Sequence, residues 1–108
     1  MTIKEAQELV EAWVAKVPGR HRSELTAMAI LTEEVGELAR VIADKHSDPT
    51  QQNVEKVRAA LSNELSDVMW ALFTLANQSG IDLTEALIDN LGKKNSVAES
   101  NKHAAQKR

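Results

Sequence analysis

The sequence predicts an all-α fold of four helices, on three observations. Hydrophobic residues make up 43% of the chain but include one Phe, two Trp and no Tyr, so the core has to be built from Leu, Val, Ile, Ala and Met. That composition favours helix over sheet. Apolar residues recur at three- and four-residue steps through most of the 108 residues, and no stretch alternates convincingly with period two. Helix-start signatures, a Thr or Asp followed three residues later by Glu, stand at Thr2–Glu5 and Asp82–Glu85.

The elements follow in order. Thr2 with Glu5 opens a first helix whose Ile3, Ala6, Val10, Trp13 and Val17 share one stripe; it runs to about Lys16 and is broken by Pro18-Gly19. "RHRSE" is a short basic connection into a second helix starting near Ser23, with Met28, Leu31, Val35, Leu38 and Ile42 as its stripe. "KHSDPTQQN" reads as a loop. A third helix repeats the spacing with Val54, Val57, Leu61, Leu65, Val68, Leu72 and Leu75 until Gly80 ends it. "DLTE" then opens a shorter helix through Leu87 and Leu91, and "SNKHAAQKR" reads as a frayed tail.

Composition also excludes function classes. A chain of 11.9 kDa is one domain with a modest core, which a partner subunit would enlarge. The absence of cysteine excludes disulfides and thiolate metal sites. The start "MTIKEAQELVEAW" has neither the basic nor the apolar region of a signal peptide, and no apolar run approaches the roughly 20 residues that cross a bilayer. A cytoplasmic protein without membrane contact is expected. Net charge is −3, but residues 91–108 hold five Lys/Arg against one Glu, leaving −7 on the first ninety. The basic residues form a short terminal tail rather than a face, so no nucleic-acid partner is expected.

The stretch "LTEEVGELARV" sets Glu33, Glu34 and Glu37 on a helix within one arc of about 100°. Ile30 precedes Glu34 by one turn and Val41 follows Glu37 by one turn, so the acids interrupt an apolar seam. "NELSDVMW" repeats the device with Glu64 and Asp67, between Ala60 and Ala71. On both helices each of these acids stands one residue ahead of a stripe position: Val35 and Leu38, Leu65 and Val68. Two antiparallel helices with this shared offset aim four carboxylates at one point.

A solvated acidic face with ion pairs is the competing explanation, but its support is thin. At the spacings where helical salt bridges form, Arg40 beside Glu37 is the only basic residue within reach of the four acids. Carboxylates crowded at the edge of a core are costly unless protonated or neutralised by a cation. A hard divalent cation such as Mg²⁺ would do this, since carboxylate is the only plentiful ligand type; a ferritin-like di-iron site would need Glu-x-x-His pairs and finds none.

"EEVGELA", followed 26 residues after its Leu38 by "ELSDVMWALFTLA", resembles the MazG-like family of all-α nucleoside triphosphate pyrophosphohydrolases, marked by Glu-Glu-x-x-Glu on one helix and Glu-x-x-Asp on the next. Together with the short helix after "SGIDLTEAL", the likeness spans roughly residues 3 to 95. It implies a four-helix bundle completed by oligomerisation, a single domain over 1–95 and a flexible basic tail over 96–108. It further implies Glu34, Glu37, Glu64 and Asp67 as ligands of Mg²⁺, with Mn²⁺ as a substitute, and Glu33 as the residue that orients or deprotonates the attacking water. The implied reaction cleaves between the α- and β-phosphates of a nucleoside triphosphate, giving the monophosphate and pyrophosphate, in a homodimer or homotetramer.

Basic groups should meet the rest of the triphosphate. Lys93 and Lys94 are the candidates, with Arg20 and Arg22 behind them, although Gly92 sits where the family's helix continues; plain solvation competes for each lysine. Trp70 follows Asp67 by three residues and could stack on a base, with Trp13 as a second wall; core packing is the alternative. Asn77 is a further nucleotide-contact candidate, against local hydrogen bonding. His21, His46 and His103 carry no role.

The acids also bear on where the third helix begins. Asp48-Pro49 with Gln51 is a good start, but it sets the midpoint of Glu64 and Asp67 about 18 residues from the turn, against about 12 for Glu34 and Glu37, an offset of roughly 9 Å at 1.5 Å per residue. No shared ion bridges that gap. A start near Val54 to Val57, or a crossing of the two helices, is therefore expected. The contrasting functional class is a non-catalytic helical interaction module with a vestigial metal site.

Overall fold

The computed structural model describes residues 1–17, 23–47 and 53–106. They hold four helices: α1 (Ile3–Lys16), α2 (Glu24–Lys45), α3 (Val54–Gln78) and α4 (Leu83–Gln106), with no strand among the described residues. Pro18-Gly19, Arg20, His21 and Arg22 in the first connection, Asp48, Pro49 and Gln51 in the second, and Lys107 and Arg108 lie outside them.

Helices start where a side chain can accept from an otherwise unpaired N–H. At α1 the reciprocal pair predicted from Thr2 and Glu5 forms: the Glu5 N–H donates to Thr2 Oγ1 at 3.1 Å and the Thr2 N–H to Glu5 Oε1 at 3.3 Å. Ser23 accepts from the Thr26 N–H at 3.2 Å, and Asn53 from the Lys56 N–H at 3.1 Å. Helix α3 thus begins at Val54, the later of the two starts and within the Val54 to Val57 window expected from the acids.

Gly80 stops α3 by adopting φ 68°, a conformation that only glycine takes cheaply. The chain closes a Schellman turn there, with the Ile81 N–H donating to the Ala76 carbonyl at 2.9 Å and the Gly80 N–H to the Asn77 carbonyl at 3.3 Å. Asp82 then accepts from the Thr84 N–H at 2.9 Å and starts α4. This last helix corrects the sequence expectation. It does not end near Leu91 but continues through Gly92 and the expected frayed segment to Gln106. Glycine ends a helix by turning to positive φ, and Gly92 does not; at a helical φ it merely weakens the helix, and Ala98, Glu99, Lys102, Ala104 and Ala105 beyond it are strong helix formers.

Helices α2 and α3 make the main pairing as a hairpin, α1 lies along α3, and the start of α4 meets α1. The core is small: Val10 and Val14 of α1 close on Phe73 of α3, with Ala6 and Leu83 packed against them. Ala27, Ala71 and Ala76 are also buried. The buried face of α1 runs through Gln7, Val10 and Val14, so Trp13 of the predicted stripe, 45% exposed, is not on it, and Val17 is the half-buried C-cap. Gln7 is buried and fully engaged: its Nε2 donates to Asn77 Oδ1 (3.1 Å) and to the Ile81 carbonyl (2.9 Å), and its Oε1 accepts from the Leu83 N–H (2.8 Å). It ties α1 to the α3–α4 corner.

The long apolar stripes of α2 and α3 are only half covered. Met28, Val35, Ile42, Leu65 and Leu72 all remain exposed. Accessible surface is 8465 Å², whereas a folded monomer of this mass has about 6,000 Å². The radius of gyration is 18.6 Å, against about 13 Å for a compact domain of this length.

Candidate functional site

The α2–α3 pairing converts a shared helical phase into a cluster. One carboxylate oxygen each of Glu34, Glu37 and Glu64 lies within 4.8 Å of the others. Glu34 and Glu64 are half-buried and Glu37 is exposed. Asp67, also half-buried, is outside that radius, yet its charge acts on both Glu34 and Glu64. Glu33 is exposed beside the cluster and adds its charge to Glu34.

Burial pushes the Glu34 carboxyl above its ordinary 4.5, and Glu37, Asp67, Glu64 and Glu33 raise it further. The Glu64 carboxyl is raised by burial first, then by the charges of Glu37 and Asp67 and by a hydrogen bond with Glu37. No basic group is among those causes. Glu34 Oε2 and Glu64 Oε2 are shielded from solvent and have no hydrogen-bond partner. Two buried, unpaired carboxylate oxygens amid like charges form an electron-rich pocket that a proton or a cation would stabilise. A set made only of carboxylates suits a hard divalent cation.

Glu34 also lines a second feature. Trp13 and Trp70 meet edge to face, ring centroids 5.2 Å apart and planes at 86°. With Ile30, Glu34, Ala71 and Thr74 they border a cleft of about 170 Å³. Trp70 is 40% exposed and Trp13 45%, so neither ring is a core residue. The aromatic wall and the acid cluster are therefore contiguous through one side chain.

The remaining candidates separate from this site. Lys93 and Lys94 are exposed on α4, which packs on α1 rather than on α2, so a single chain does not bring them to the carboxylates. Asn77 is occupied elsewhere: its Nδ2 donates to the Gln7 carbonyl at 3.0 Å while its Oδ1 accepts from the Gln7 side chain. Thr74 was not singled out in the sequence. Its signal was helical phase, one turn after Trp70 on the face that carries Ala71.

The comparisons bear on what this arrangement is. The family model described as the MazG nucleotide pyrophosphohydrolase domain matches residues 22–100. The uncharacterized protein YpjD of Bacillus subtilis (strain 168) is 34% identical over 85 residues, 79% of this chain and 76% of that protein. The crystal structure of the Bacillus-conserved MazG protein, a nucleotide pyrophosphohydrolase, superposes with a TM-score of 0.71 at 31% identity, over 86% of this chain and 88% of that one. The crystal structure of YPJD from Bacillus subtilis likewise gives 0.71 at 33% identity, over 88% and 95%. With the paired acidic motifs, their four-helix setting and these matches together, the chain belongs to the MazG nucleotide pyrophosphohydrolase family of hydrolases.

Proposed function

We propose that this protein is a Mg²⁺-dependent nucleoside triphosphate pyrophosphohydrolase that cleaves between the α- and β-phosphates to release a nucleoside monophosphate and pyrophosphate. The observation that carries this reading is the Glu34, Glu37 and Glu64 cluster with its two unpartnered buried oxygens. The residues fit a hard cation: Glu34, Glu37, Glu64 and Asp67 would hold Mg²⁺, with Mn²⁺ as a substitute. Bound there, the ion would supply positive charge to phosphate oxygens and acidify a coordinated water. Glu33, exposed at the rim, would orient the attacking water or accept its proton on a carboxylate oxygen. Trp70 holds the base. Lys93 and Lys94 meet the phosphates from a neighbouring subunit, since α4 does not carry them to the cluster of its own chain.

A homodimer or homotetramer is part of the same reading, supported by the excess of exposed apolar surface on α2 and α3. Removal of noncanonical (deoxy)nucleoside triphosphates in the cytoplasm is the cellular use that fits such an activity. The test is phosphate release, measured with added pyrophosphatase, over a panel of NTPs and dNTPs with and without Mg²⁺. Release that needs both pyrophosphatase and Mg²⁺ is expected. Binding without release from any triphosphate would instead favour the non-catalytic interaction module.

A further inference from the structure

One apolar face of α3 borders an open groove of about 730 Å³. Val54, Val57, Leu61, Leu65 and Met69 line it at three- and four-residue steps, a continuous seam about 22 Å long. Val54, Leu65 and Met69 are exposed, Val54 at 79%. Among the described residues, the charged groups lining the groove are Lys45 at the end of α2 and Arg58 on α3, both basic.

The first turns of α4 have the opposite make-up. Leu87, Ile88 and Leu91 fall within one arc of about 100° and all three are exposed, Ile88 at 61%. The charged residues beside them, Glu85 and Asp89, are acidic and exposed, and no basic residue occurs from Leu83 to Gly92. A single chain does not join the two surfaces: the groove lies along the first part of α3, whereas α4 leaves the other end of that helix and packs on α1. Nor does the groove suit a copy of itself. Groove on groove would bring Lys45 and Arg58 of both copies into one interface with no lining acid to balance them, a like-charge contact that costs affinity.

We infer that the α3 groove of one copy receives the first turns of α4 from a second copy, with Leu87, Ile88 and Leu91 on the seam of Leu61, Leu65 and Met69, and with Glu85 and Asp89 toward Lys45 and Arg58. Made twice about a two-fold axis, the contact closes on itself and leaves neither groove open. The excess of accessible surface over a compact monomer is enough for both halves of such an exchange. The inference rests on the homo-oligomer reading above and names its surfaces. Lys93 and Lys94 stand within one turn of Leu91, so the same contact carries them to the helix that holds Glu64 and Asp67 of the other copy.

The experiment is charge reversal on the full chain, with the dissociation constant of the dimer measured by analytical ultracentrifugation at low and high salt and the fold checked by far-UV circular dichroism. Lys45→Glu with Arg58→Glu reverses the groove, and Glu85→Lys with Asp89→Lys reverses the helix. Each pair alone should weaken association by about tenfold or more, most strongly at low salt. All four substitutions in one chain should restore it to within about threefold of the wild type, because the complementary charges then face each other again. A dimer indifferent to both reversals, or losses that add up in the fourfold variant instead of cancelling, overturns the inference and leaves the homo-oligomer reading standing. A monomeric wild type at micromolar concentration overturns both. Because the readout is mass, none of these outcomes depends on whether the chain hydrolyses a nucleotide.

Discussion

Individual carboxylates carry the sharpest consequences. If Glu34, Glu37, Glu64 and Asp67 hold one cation, Glu37→Gln and Asp67→Asn should each abolish Mg²⁺-dependent pyrophosphate release. The double variant should then be little worse than either single, because members of one site are not additive. Full activity in either single variant would contradict the assignment. Glu33→Gln should keep metal affinity by calorimetry and lose turnover. The raised pKa of Glu64 yields a stability test with a definite sign. A carboxyl that titrates higher in the folded state than its ordinary 4.5 favours the fold when protonated and opposes it once ionised. That benefit is complete below 4.5 and is lost as pH rises through the raised value. In a chelator, Glu64→Gln should therefore melt above the wild type at neutral pH, and the difference should close as pH falls toward 4.5. A difference constant with pH would refute it.

At the level of elements, the chain's corners are set by polar groups and its helix lengths by propensity. Gln7 satisfies the Leu83 N–H, the Ile81 carbonyl and Asn77 at the turn between α3 and α4. Gln7→Leu keeps the volume but strands these partners, and should cost roughly 2–3 kcal/mol by urea denaturation; a loss under about 0.5 kcal/mol would show that the corner does not need this clasp. Gly92 tests the opposite case. It sits inside α4 at helical φ, and a Cβ there would meet nothing within 4 Å. Gly92→Ala should stabilise the protein by about 0.5–1 kcal/mol with no change in turnover. A loss of stability would mean that a neighbouring subunit approaches that backbone closely.

The whole molecule exposes more than a monomer of its size should. The surplus of accessible area over an ordinary 11.9 kDa monomer is about 2,500 Å², enough for each chain's share of a large obligate interface. The half-covered stripes of α2 and α3 and the bare length of α4 supply it. Light scattering at micromolar concentration should give at least twice the mass of one chain; a mass near 11.9 kDa would refute the expectation.

What could be read from the sequence was what is local. Thr2–Glu5 and Ser23 begin helices and Gly80 ends one through contacts within a turn of themselves, so residue identity suffices. The meeting of Glu34, Glu37 and Glu64 was legible for a related reason: a fixed 100° step carries them to matching phases on two helices, and the Val54 start agrees with the offset expected from the acids rather than with the Asp48-Pro49 signal. The length of α4 was not legible, because Gly92 carries two opposed meanings and only the realised φ chooses between them. Gln7 and Trp13 show the other limit. Both stand on α1, one buried and polar, the other apolar and 45% exposed, the reverse of what their chemistry suggests. Their burial depends on how α1 is rotated against α3, where Asn77 and Ile81 draw Gln7 inward and Trp70 meets Trp13 at the rim. That rotation is a property of two packed surfaces and is not encoded in the spacing along either one.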